Sequence, residues 1–189
     1  MEEITRLVEL LKQRRQYLIE KTVQIKKVEE KEELIKLYKK AGEYDEKKYC
    51  FGDTNSVKFA IKKESEQEDF AIIYEDKIIG FVSIWNLNKT NKNVKSMAIA
   101  LDKNYRGNSI AKYALNEIIK YCFENHNKTN AIMVTVNSKN KESKNLIKNT
   151  EFKRLQISTL YMEINHHYEP LQAYRITRKK YERNKANGK

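Results

Sequence analysis

The sequence predicts a single-domain α/β fold, and two observations lead to that prediction. Residues 94–136 contain an apolar run, a short basic turn, a long apolar helix and a second apolar run. A strand, a helix and a strand in that order form a βαβ unit, whose two strands are expected to run parallel. Upstream, two further apolar runs meet at Glu75 and Asp76, which is the pattern of a β-hairpin. The 189 residues contain no internal repeat or low-complexity linker, so one domain is the simplest division.

An amphipathic helix is predicted for residues 3–20. Its apolar side chains recur at near-helical spacing with charges between them; they are Ile4, Leu7, Val8, Leu11 and Leu18. Such a stripe has to be covered, either by the sheet of the same chain or by a second subunit. We expect the sheet of the same chain to cover it.

The remaining elements are predicted in order along the chain. A strand is indicated around Val23–Val28 by alternating apolar residues, and the helix after it ends at Gly42. A short helix is indicated near Ser56–Lys63, where apolar residues cluster. Further downstream the predictions are a strand at 93–101, a helix from about 110, a buried strand at 131–136 and a short helix at 143–148. Two long strands follow at 152–164 and 170–177, joined by a loop at 165–169, and a charged final helix begins at 178.

Composition excludes several classes of protein. Hydrophobic residues make up 40% of the chain, which argues against global disorder, and no apolar run is long enough to cross a membrane. Cys50 and Cys122 lack the spacing of a disulfide or a metal site, so a reduced, cytoplasmic protein is expected. The formal net charge of +12 suits a nucleic acid, an anionic cofactor or an acidic partner. No basic stripe interleaved with aromatics stands out, so a solvated surface is favoured over a nucleic-acid face.

The turn before the long helix is the strongest candidate site. It runs from Arg106 to Ile110, with Ala111 already on the helix and with Lys103 and Lys112 on either side. The start of a helix presents free N–H groups and partial positive charge, and Gly107 allows a ligand close to the backbone. A pyrophosphate suits such a turn. Taken alone, the pattern leaves ligand binding and simple connection of a strand to a helix equally open.

Two motifs in this region resemble those of the GNAT superfamily of acetyl-CoA-dependent N-acyltransferases. The first is Arg/Gln-x-x-Gly-x-Gly/Ala after a strand, and here Arg106, Ser109 and Ala111 hold its places, with Ser109 in place of the glycine. The second is Asn-x-x-Ser, an apolar pair and Gly-Phe, which is matched by Asn140, Ser143, Leu146, Ile147 and Phe152, with Glu151 where glycine is usual. The resemblance begins near Lys21 and is closest to the branch of the ribosomal-protein N-terminal acetyltransferases.

The resemblance implies a fold and a cofactor site. The fold is a mixed central sheet with splayed parallel strands flanked by helices; residues 1–20 add an N-terminal helix to a domain at 21–189. Acetyl-CoA is implied to lie between the splayed strands, where a backbone N–H near Ala98 polarises the thioester carbonyl. The implied cofactor-binding residues are Ala98, Ile99, Ala100, Arg106, Gly107, Asn108, Ser109, Ile110, Ala111, Asn140 and Ser143.

Proton transfer is expected to involve few side chains. The acceptor amine has to lose a proton and the departing thiolate has to gain one. The candidate catalytic residues are Ser143 and Tyr161, and Glu163 shares the strand of Tyr161. Where the branch often carries a glutamate base, this chain has Lys95. No metal site is expected, because the three histidines lack ligand spacing to the cysteines and are predicted to lie on the surface.

Two functions are compatible with these features. The first is an enzyme that transfers an acetyl group from acetyl-CoA to a primary amine by direct attack in a ternary complex; the branch favours a protein or peptide amine. The second is a GNAT scaffold without catalysis that binds RNA, the ribosome or a protein. The second function is favoured by Lys95, Ser109 and Glu151, and by Ile147, which stands where many other GNAT enzymes carry a tyrosine. The cofactor turn favours the first function. A monomer and a homodimer are both compatible with the sequence.

Overall fold

One mixed sheet organises the chain in the computed structural model, which describes residues 2–30, 32–33, 36, 67–87, 92–156, 160–164 and 167–187. Its strands are β1 (Val23–Val28), β2 (Glu68–Tyr74), β3 (Lys77–Asn86), β4 (Val94–Leu101), β5 (Ala131–Asn137), β6 (Lys153–Arg154), β7 (Leu160–Ile164) and β8 (His167–Thr177). The helices are α1 (Glu2–Thr22), α2 (Ile110–Asn125), α3 (Lys141–Lys148) and α4 (Arg178–Ala186), with a 3-10 turn at Lys103–Tyr105. Of the predicted helix that ends at Gly42, residues 32–33 and 36 are described and helical. The predicted helix near Ser56–Lys63 lies outside the described residues.

The strand order in the sheet is β1-β2-β3-β4-β5-β8-β6, and β7 also pairs with β8. Neighbouring strands are antiparallel except for β4 and β5, which are parallel and connected through α2. The predicted βαβ unit and mixed sheet are therefore confirmed. The predicted hairpin is also present, with φ of 47° at Glu75 and 59° at Asp76. Positive φ at both central residues is the signature of a type I′ turn, whose twist matches that of the flanking strands.

The two parallel strands separate soon after they meet. β4 and β5 pair at Val94↔Ala131, Lys95↔Ile132 and Ser96↔Met133. Beyond Ser96, β4 continues to Leu101 along β3, while β5 continues to Asn137 along β8. The predicted splay is confirmed, and it leaves a gap between β4 and β5 that widens towards the start of α2.

The long helix α2 supplies the centre of the core. The paired apolar residues that the sequence places on one stripe are buried, namely Ile110, Ala114, Leu115, Ile118, Ile119, Cys122 and Phe123. They form one cluster with sheet residues such as Ile72, Ile84 and Ile132. Because Ile110 is already buried, the helix is anchored directly after the candidate turn, and the turn is held in place beside the gap.

The apolar stripe of α1 is exposed, so the expectation that the chain's own sheet covers it is wrong. Ile4 is 69% exposed and Leu11 is 58% exposed, whereas Ile19 near the end of the helix is buried. α1 joins β1 without a loop, since the helix ends at Thr22 and the strand begins at Val23. The helix is thus fixed to the domain at its C-terminal end, and most of its apolar surface lies free of the described domain.

The long strand predicted at 152–164 is instead two strands on the same edge of β8. Arg154 lies opposite Tyr174, and Leu160 lies opposite Leu171, so five residues separate the two pairs on one side and two residues separate them on β8. Three extra residues interrupt the ladder, which one continuous strand would not allow. The last strand also begins earlier than predicted, at His167 within the predicted loop.

Candidate active site

The register of β4 decides which backbone groups face the gap. In an antiparallel ladder, hydrogen-bonded pairs alternate with non-bonded pairs along each strand. The Asp102 N–H donates to the Ile79 carbonyl at 2.8 Å, and the Leu87 N–H donates to the Val94 carbonyl at 2.9 Å. Because the register is unbroken between these two pairs, the even-numbered residues of β4 bond to β3. Its odd-numbered residues therefore direct their N–H and C=O groups towards β5 or the gap.

This alternation separates the three β4 residues predicted to bind the cofactor through their backbone. Ala98 and Ala100 lie opposite Ser83 and Phe81 and direct their N–H and C=O groups to β3. Ile99 directs its N–H and C=O groups to the other side, beyond the last pair with β5. An extended ligand that enters the gap would meet the Ile99 peptide groups in the way that an added strand does.

The turn at the start of α2 is open and closely approachable. Gly107 has a φ of +76°, and a Cβ added there would meet no atom within 4 Å. Arg106, Asn108 and Ser109 are exposed, and the Arg106 Nε donates to the Leu101 carbonyl at 3.0 Å. This contact holds the turn against the end of β4. The turn thus joins the gap to the positive end of a helix, where an anion is favoured.

The backbone at Ser109 explains why the superfamily motif has glycine at this place. Ser109 has a φ of 61°, in the left-handed region that glycine adopts without steric cost. A serine there costs on the order of 1 kcal/mol, because its Cβ approaches the following carbonyl. The conformation of the turn is kept although the residue differs from the motif.

Arg15 of α1 contacts the same turn, although no motif in the sequence indicates this contact. Its Nη2 donates to the Gly107 carbonyl at 2.9 Å and to the Asn108 Oδ1 at 2.8 Å. The resemblance begins near Lys21 and so carries no information on α1. The N-terminal helix therefore brings a guanidinium to the candidate site.

The second motif forms the start of α3. The Asn140 Oδ1 accepts the Ser143 N–H at 3.0 Å, so Asn140 is the N-cap of that helix. Ser143 is half-buried, one turn into the helix. Tyr161 lies on β7 opposite Pro170 and is 58% exposed. Asn140 and Ser143 are thus in contact, whereas no contact recorded among the described residues joins Tyr161 to them.

A half-buried polar cluster occupies the other end of α2. Glu68 Oε2 lies 2.7 Å from Lys27 Nζ and accepts the Tyr121 hydroxyl at 2.7 Å. Glu68 Oε1 also lies 2.7 Å from His126 Nε2. The surface position predicted for His126 is therefore wrong, because this contact draws the ring into the cluster. Burial lowers the pKa of His126; burial alone would raise the pKa of Glu68, but hydrogen bonds from Lys27 and Tyr121 leave it lowered.

Lys95 lies beneath α2, where it is 5% exposed and its charge acts on Cys122 and His126. The position where the resemblance suggests a base therefore carries a buried cation. Burial raises the pKa of Cys122 to about 12, so its thiol does not serve as a nucleophile at neutral pH.

In the described part of the chain, no three His, Cys, Asp or Glu residues are grouped as metal ligands. No helix among the described residues is long and apolar enough to cross a membrane.

Comparison with known proteins identifies relatives of this arrangement. A sequence model of the acetyltransferase (GNAT) family matches residues 31–152. The ribosomal-protein-S5-alanine acetyltransferase from Vibrio fischeri has a TM-score of 0.67 at 19% identity, covering 83% of this chain and 93% of that chain. RimL, a ribosomal L7/L12 alpha-N-protein acetyltransferase in complex with coenzyme A, has a TM-score of 0.67 at 10% identity, covering 82% and 94%. SpeG, a spermidine/spermine N-acetyltransferase from Vibrio cholerae, has a TM-score of 0.64 at 15% identity, covering 88% and 98%. A search of curated protein sequences finds no match.

The similarities agree with the geometry of the gap and the turn. At identities below 25%, the solved structures show the fold, and two of these three belong to the branch that the sequence resembles. The family match covers more than half of the chain and includes β4, the turn at Gly107 and the start of α3 at Asn140. The chain therefore belongs to the acetyltransferase (GNAT) family, and it is an acetyltransferase.

Proposed function

We propose that the chain transfers an acetyl group from acetyl-CoA to a primary amine by direct attack in a ternary complex. The observation that carries the proposal is the break in the parallel ladder after Ser96 and Met133, with the Ile99 peptide groups turned to the resulting gap. The gap leads to the turn at Gly107, where α2 begins. An extended ligand with a phosphorylated end suits these two features together.

The residues of the gap and the turn fit acetyl-CoA. The amides of its pantetheine arm match the N–H and C=O groups of Ile99, and its pyrophosphate matches the N–H groups from Gly107 to Ala111. The Arg106 N–H already donates to the Lys103 carbonyl at 3.2 Å, so Arg106 contributes through its charge instead. The open space at Gly107 permits close approach to the backbone. When bound, acetyl-CoA supplies a thioester whose acyl carbon is open to attack. In this proposal Ala98 and Ala100 fix Ile99 through their bonds to β3, and the cofactor arm lies near α3.

We further propose that the acceptor is the N-terminal amine of a protein or peptide. In β4 the one ionisable side chain is the buried Lys95, and the candidates for proton transfer are the hydroxyls of Ser143 and Tyr161. A site that gives little help in removing a proton favours an acceptor whose amine is already partly unprotonated. At pH 7.4 an α-amine with a pKa of about 8 is roughly one-fifth neutral, whereas a lysine amine with a pKa of about 10.4 is roughly one-thousandth neutral.

The fold similarities leave a polyamine as the competing acceptor. RimL and the S5-alanine enzyme are named for ribosomal proteins, whereas SpeG is named for spermidine and spermine. A polyamine resembles lysine in carrying alkylammonium groups of high pKa. It would therefore need the base assistance that β4 does not supply.

Cofactor binding is tested by thermal unfolding with acetyl-CoA and with free CoA. A ligand that binds the folded state raises the melting temperature by mass action, so both should raise it. An unchanged melting temperature at saturating millimolar cofactor would contradict the proposed cofactor. Adenosine alone is the matched control and should have a smaller effect, because it lacks both the pyrophosphate and the pantetheine arm.

The acceptor is tested with labelled acetyl-CoA and three substrates. These are a lysine-free peptide with a free N-terminus, a lysine-containing peptide with a blocked N-terminus, and spermidine. We expect label on the first peptide, at a rate that rises with pH up to the pKa of its own α-amine. Label on spermidine or lysine alone would overturn the acceptor assignment and leave the cofactor assignment intact. Ser143→Ala and Tyr161→Phe should lower the maximal rate if these hydroxyls transfer protons. Tyr161→Phe should leave acetyl-CoA affinity unchanged, because Tyr161 is not among the proposed cofactor-binding residues.

A further inference from the structure

Most of the exposed large hydrophobic side chains among the described residues lie on α1. There are ten such side chains in the described residues, and seven belong to this one helix: Ile4, Leu7, Val8, Leu10, Leu11, Tyr17 and Leu18. Within α1, Ile19 near its end is the buried apolar residue. A contiguous apolar stripe of this kind marks an interaction surface rather than scattered surface residues.

The spacing along the stripe is that of a helix–helix seam. Ile4, Leu11 and Leu18 are separated by seven residues each, and Leu7 lies between the first two. A seven-residue repeat keeps side chains on one line of a helix that packs along another helix. With 21 residues, α1 is about 31 Å long, which gives three such repeats.

The charges of α1 are divided between its two halves. Glu2 to Glu9 includes three acids and one arginine, whereas Lys12 to Lys21 includes four cations and one acid. A parallel pair of these helices would place the two acidic halves side by side and the two basic halves side by side, so like charges would repel. It would also place Arg14 on the seam against the other Arg14, because Arg14 follows Leu7 by seven residues. An antiparallel pair would set the acidic half of one helix against the basic half of the other.

We propose that α1 is a self-association surface on which the α1 of a second copy docks antiparallel, with the two-fold axis near Leu11. In this arrangement Ile4 of each copy lies beside Leu18 of the other. Glu3 and Lys21 are 18 residues apart, or about five turns, so they lie on the same edge of the stripe. Glu3 of one copy then lies within about one turn of Lys21 of the other, and the contact is repeated by symmetry. The occupant of the stripe is thus a second copy of this chain.

The mass of the full chain in solution tests the proposal. Light scattering on a concentration series of the wild type should show twice the monomer mass of 22.5 kDa. The double variant Leu7→Ser, Leu11→Ser should be monomeric and keep its circular dichroism, because both side chains are exposed in the single chain. Leu87→Ser is the matched control, since Leu87 is 45% exposed outside α1, and it should remain dimeric. A wild type that is monomeric at the highest concentration, or a double variant that stays dimeric, would overturn the proposal.

Disulfide cross-linking tests the antiparallel direction in a Cys50→Ser background. A mixture of the Ile4→Cys and Leu18→Cys variants should form a cross-linked dimer, whereas Ile4→Cys alone should not. Ile4 and Leu18 are 14 residues apart, or about 21 Å along the helix, so two Ile4 positions of an antiparallel pair are too distant for a disulfide. Cys122 is buried and does not compete. Cross-linking of Ile4→Cys with itself, or none in the mixture, would overturn the antiparallel arrangement.

Discussion

The two ends of α2 differ in how their backbone groups are satisfied. At the C-terminal end, Arg178 donates to three carbonyls: Nη1 to Phe123 at 2.6 Å, Nη2 to His126 at 2.9 Å and Nε to Thr129 at 2.9 Å. At the N-terminal end, Ser109 makes no side-chain capping bond, and no acidic residue lies in the first turn. A cation at a helix C-terminus interacts favourably with the negative end of the helix dipole, whereas an uncapped N-terminus leaves N–H groups for another acceptor.

This difference separates a structural end of the helix from the end that we propose to bind acetyl-CoA. All three nitrogens of the Arg178 guanidinium bond to backbone carbonyls at the end of α2, so these carbonyls are not available to a ligand. The opposite end combines a glycine with positive φ, exposed basic residues and a gap between strands. The same helix therefore serves the core at one end and, in our proposal, acetyl-CoA at the other. Substitutions at the two ends should consequently affect different measurements.

The largest effect on cofactor affinity is expected from Gly107→Val. A β-branched residue at a φ of +76° is strained, and its side chain would occupy the space that a ligand needs. We expect acetyl-CoA binding to be abolished in calorimetric titration, in a protein whose stability falls by only about 1–2 kcal/mol. Ser109→Gly is the matched control. It should retain binding and raise stability by up to about 1 kcal/mol, because it removes the strain at a φ of 61°.

Binding by Gly107→Val with wild-type affinity would show that the turn merely connects β4 to α2. A variant that does not fold would be recognised by its circular dichroism. In that case Gly107→Asn provides the test, since asparagine tolerates positive φ better while still filling the space above the turn.

The largest effect on stability is expected from Arg178→Ala. The substitution removes three hydrogen bonds to backbone carbonyls at the C-terminal end of α2. We expect the free energy of unfolding in urea to fall by about 2–4 kcal/mol, since charge-assisted bonds to partly buried acceptors are lost. Acetyl-CoA affinity of the folded variant should stay near that of the wild type. The exposed neighbour Lys179→Ala should change neither quantity, and a large loss of affinity in Arg178→Ala alone would break the separation of the two ends.

Local patterns in the sequence predicted the parts of the fold that depend on neighbouring residues. The apolar pairs of α2 and the hairpin at Glu75 and Asp76 are such parts. The interruption before Leu160 was not predictable, because it depends on the register against β8. The sequence also could not distinguish Ile99 from Ala98 and Ala100. Only the hydrogen bonds between β4 and β3 show that Ile99 directs its N–H and C=O groups to the gap.

Arg15 and Arg178 were missed for another physical reason. Their acceptors are mainly backbone carbonyls, which every residue has and which therefore leave no mark in a sequence. Arg15 bonds to a carbonyl 92 residues away, and the acceptors of Arg178 are 49 to 55 residues away. Motif spacing identified the turn but not the distant guanidinium that contacts it.

A smaller effect on affinity is expected from Arg106→Ala and Arg15→Ala. Each removes one positive charge from the turn. Arg106→Ala also removes one hydrogen bond that holds the turn, and Arg15→Ala removes two. We expect each to weaken acetyl-CoA binding by about 1–2 kcal/mol, less at high salt, because screening already reduces the attraction. Lys12→Ala on α1 is the control and should have no effect, since Lys12 pairs with Glu9 instead. Full affinity in Arg15→Ala would show that α1 does not contribute to the site.

The smallest effect is expected from pH at the structural end of α2. Burial lowers the pKa of His126 in the folded state, so the unfolded chain binds a proton more readily as the pH falls. Stability from this group is therefore present above the usual histidine pKa of about 6.5 and is lost as the pH falls through the folded value. Glu68 stays charged in this range because its own pKa is lowered, and Lys27 stays protonated because its hydrogen bond to Glu68 raises its pKa.

Urea unfolding at about pH 7.5 and about pH 5.5 tests this expectation. The free energy of unfolding should fall towards the lower pH, and His126→Gln should reduce that fall. A pH dependence that is the same in wild type and variant would show that His126 is not the titrating group. Acetyl-CoA affinity should show no matching difference between the two proteins, because His126 lies at the end of α2 away from the turn.

Amide hydrogen exchange of β4, measured by NMR with and without saturating CoA, tests the proposed cofactor gap most directly. The Ile99 N–H faces the gap, whereas the Ala98 and Ala100 N–H groups already bond to β3. CoA should therefore slow exchange at Ile99 and at the amides of the Gly107 turn, with little change at Ala98 and Ala100. Binding of CoA with unchanged exchange at Ile99 and at the turn would show that the cofactor lies elsewhere.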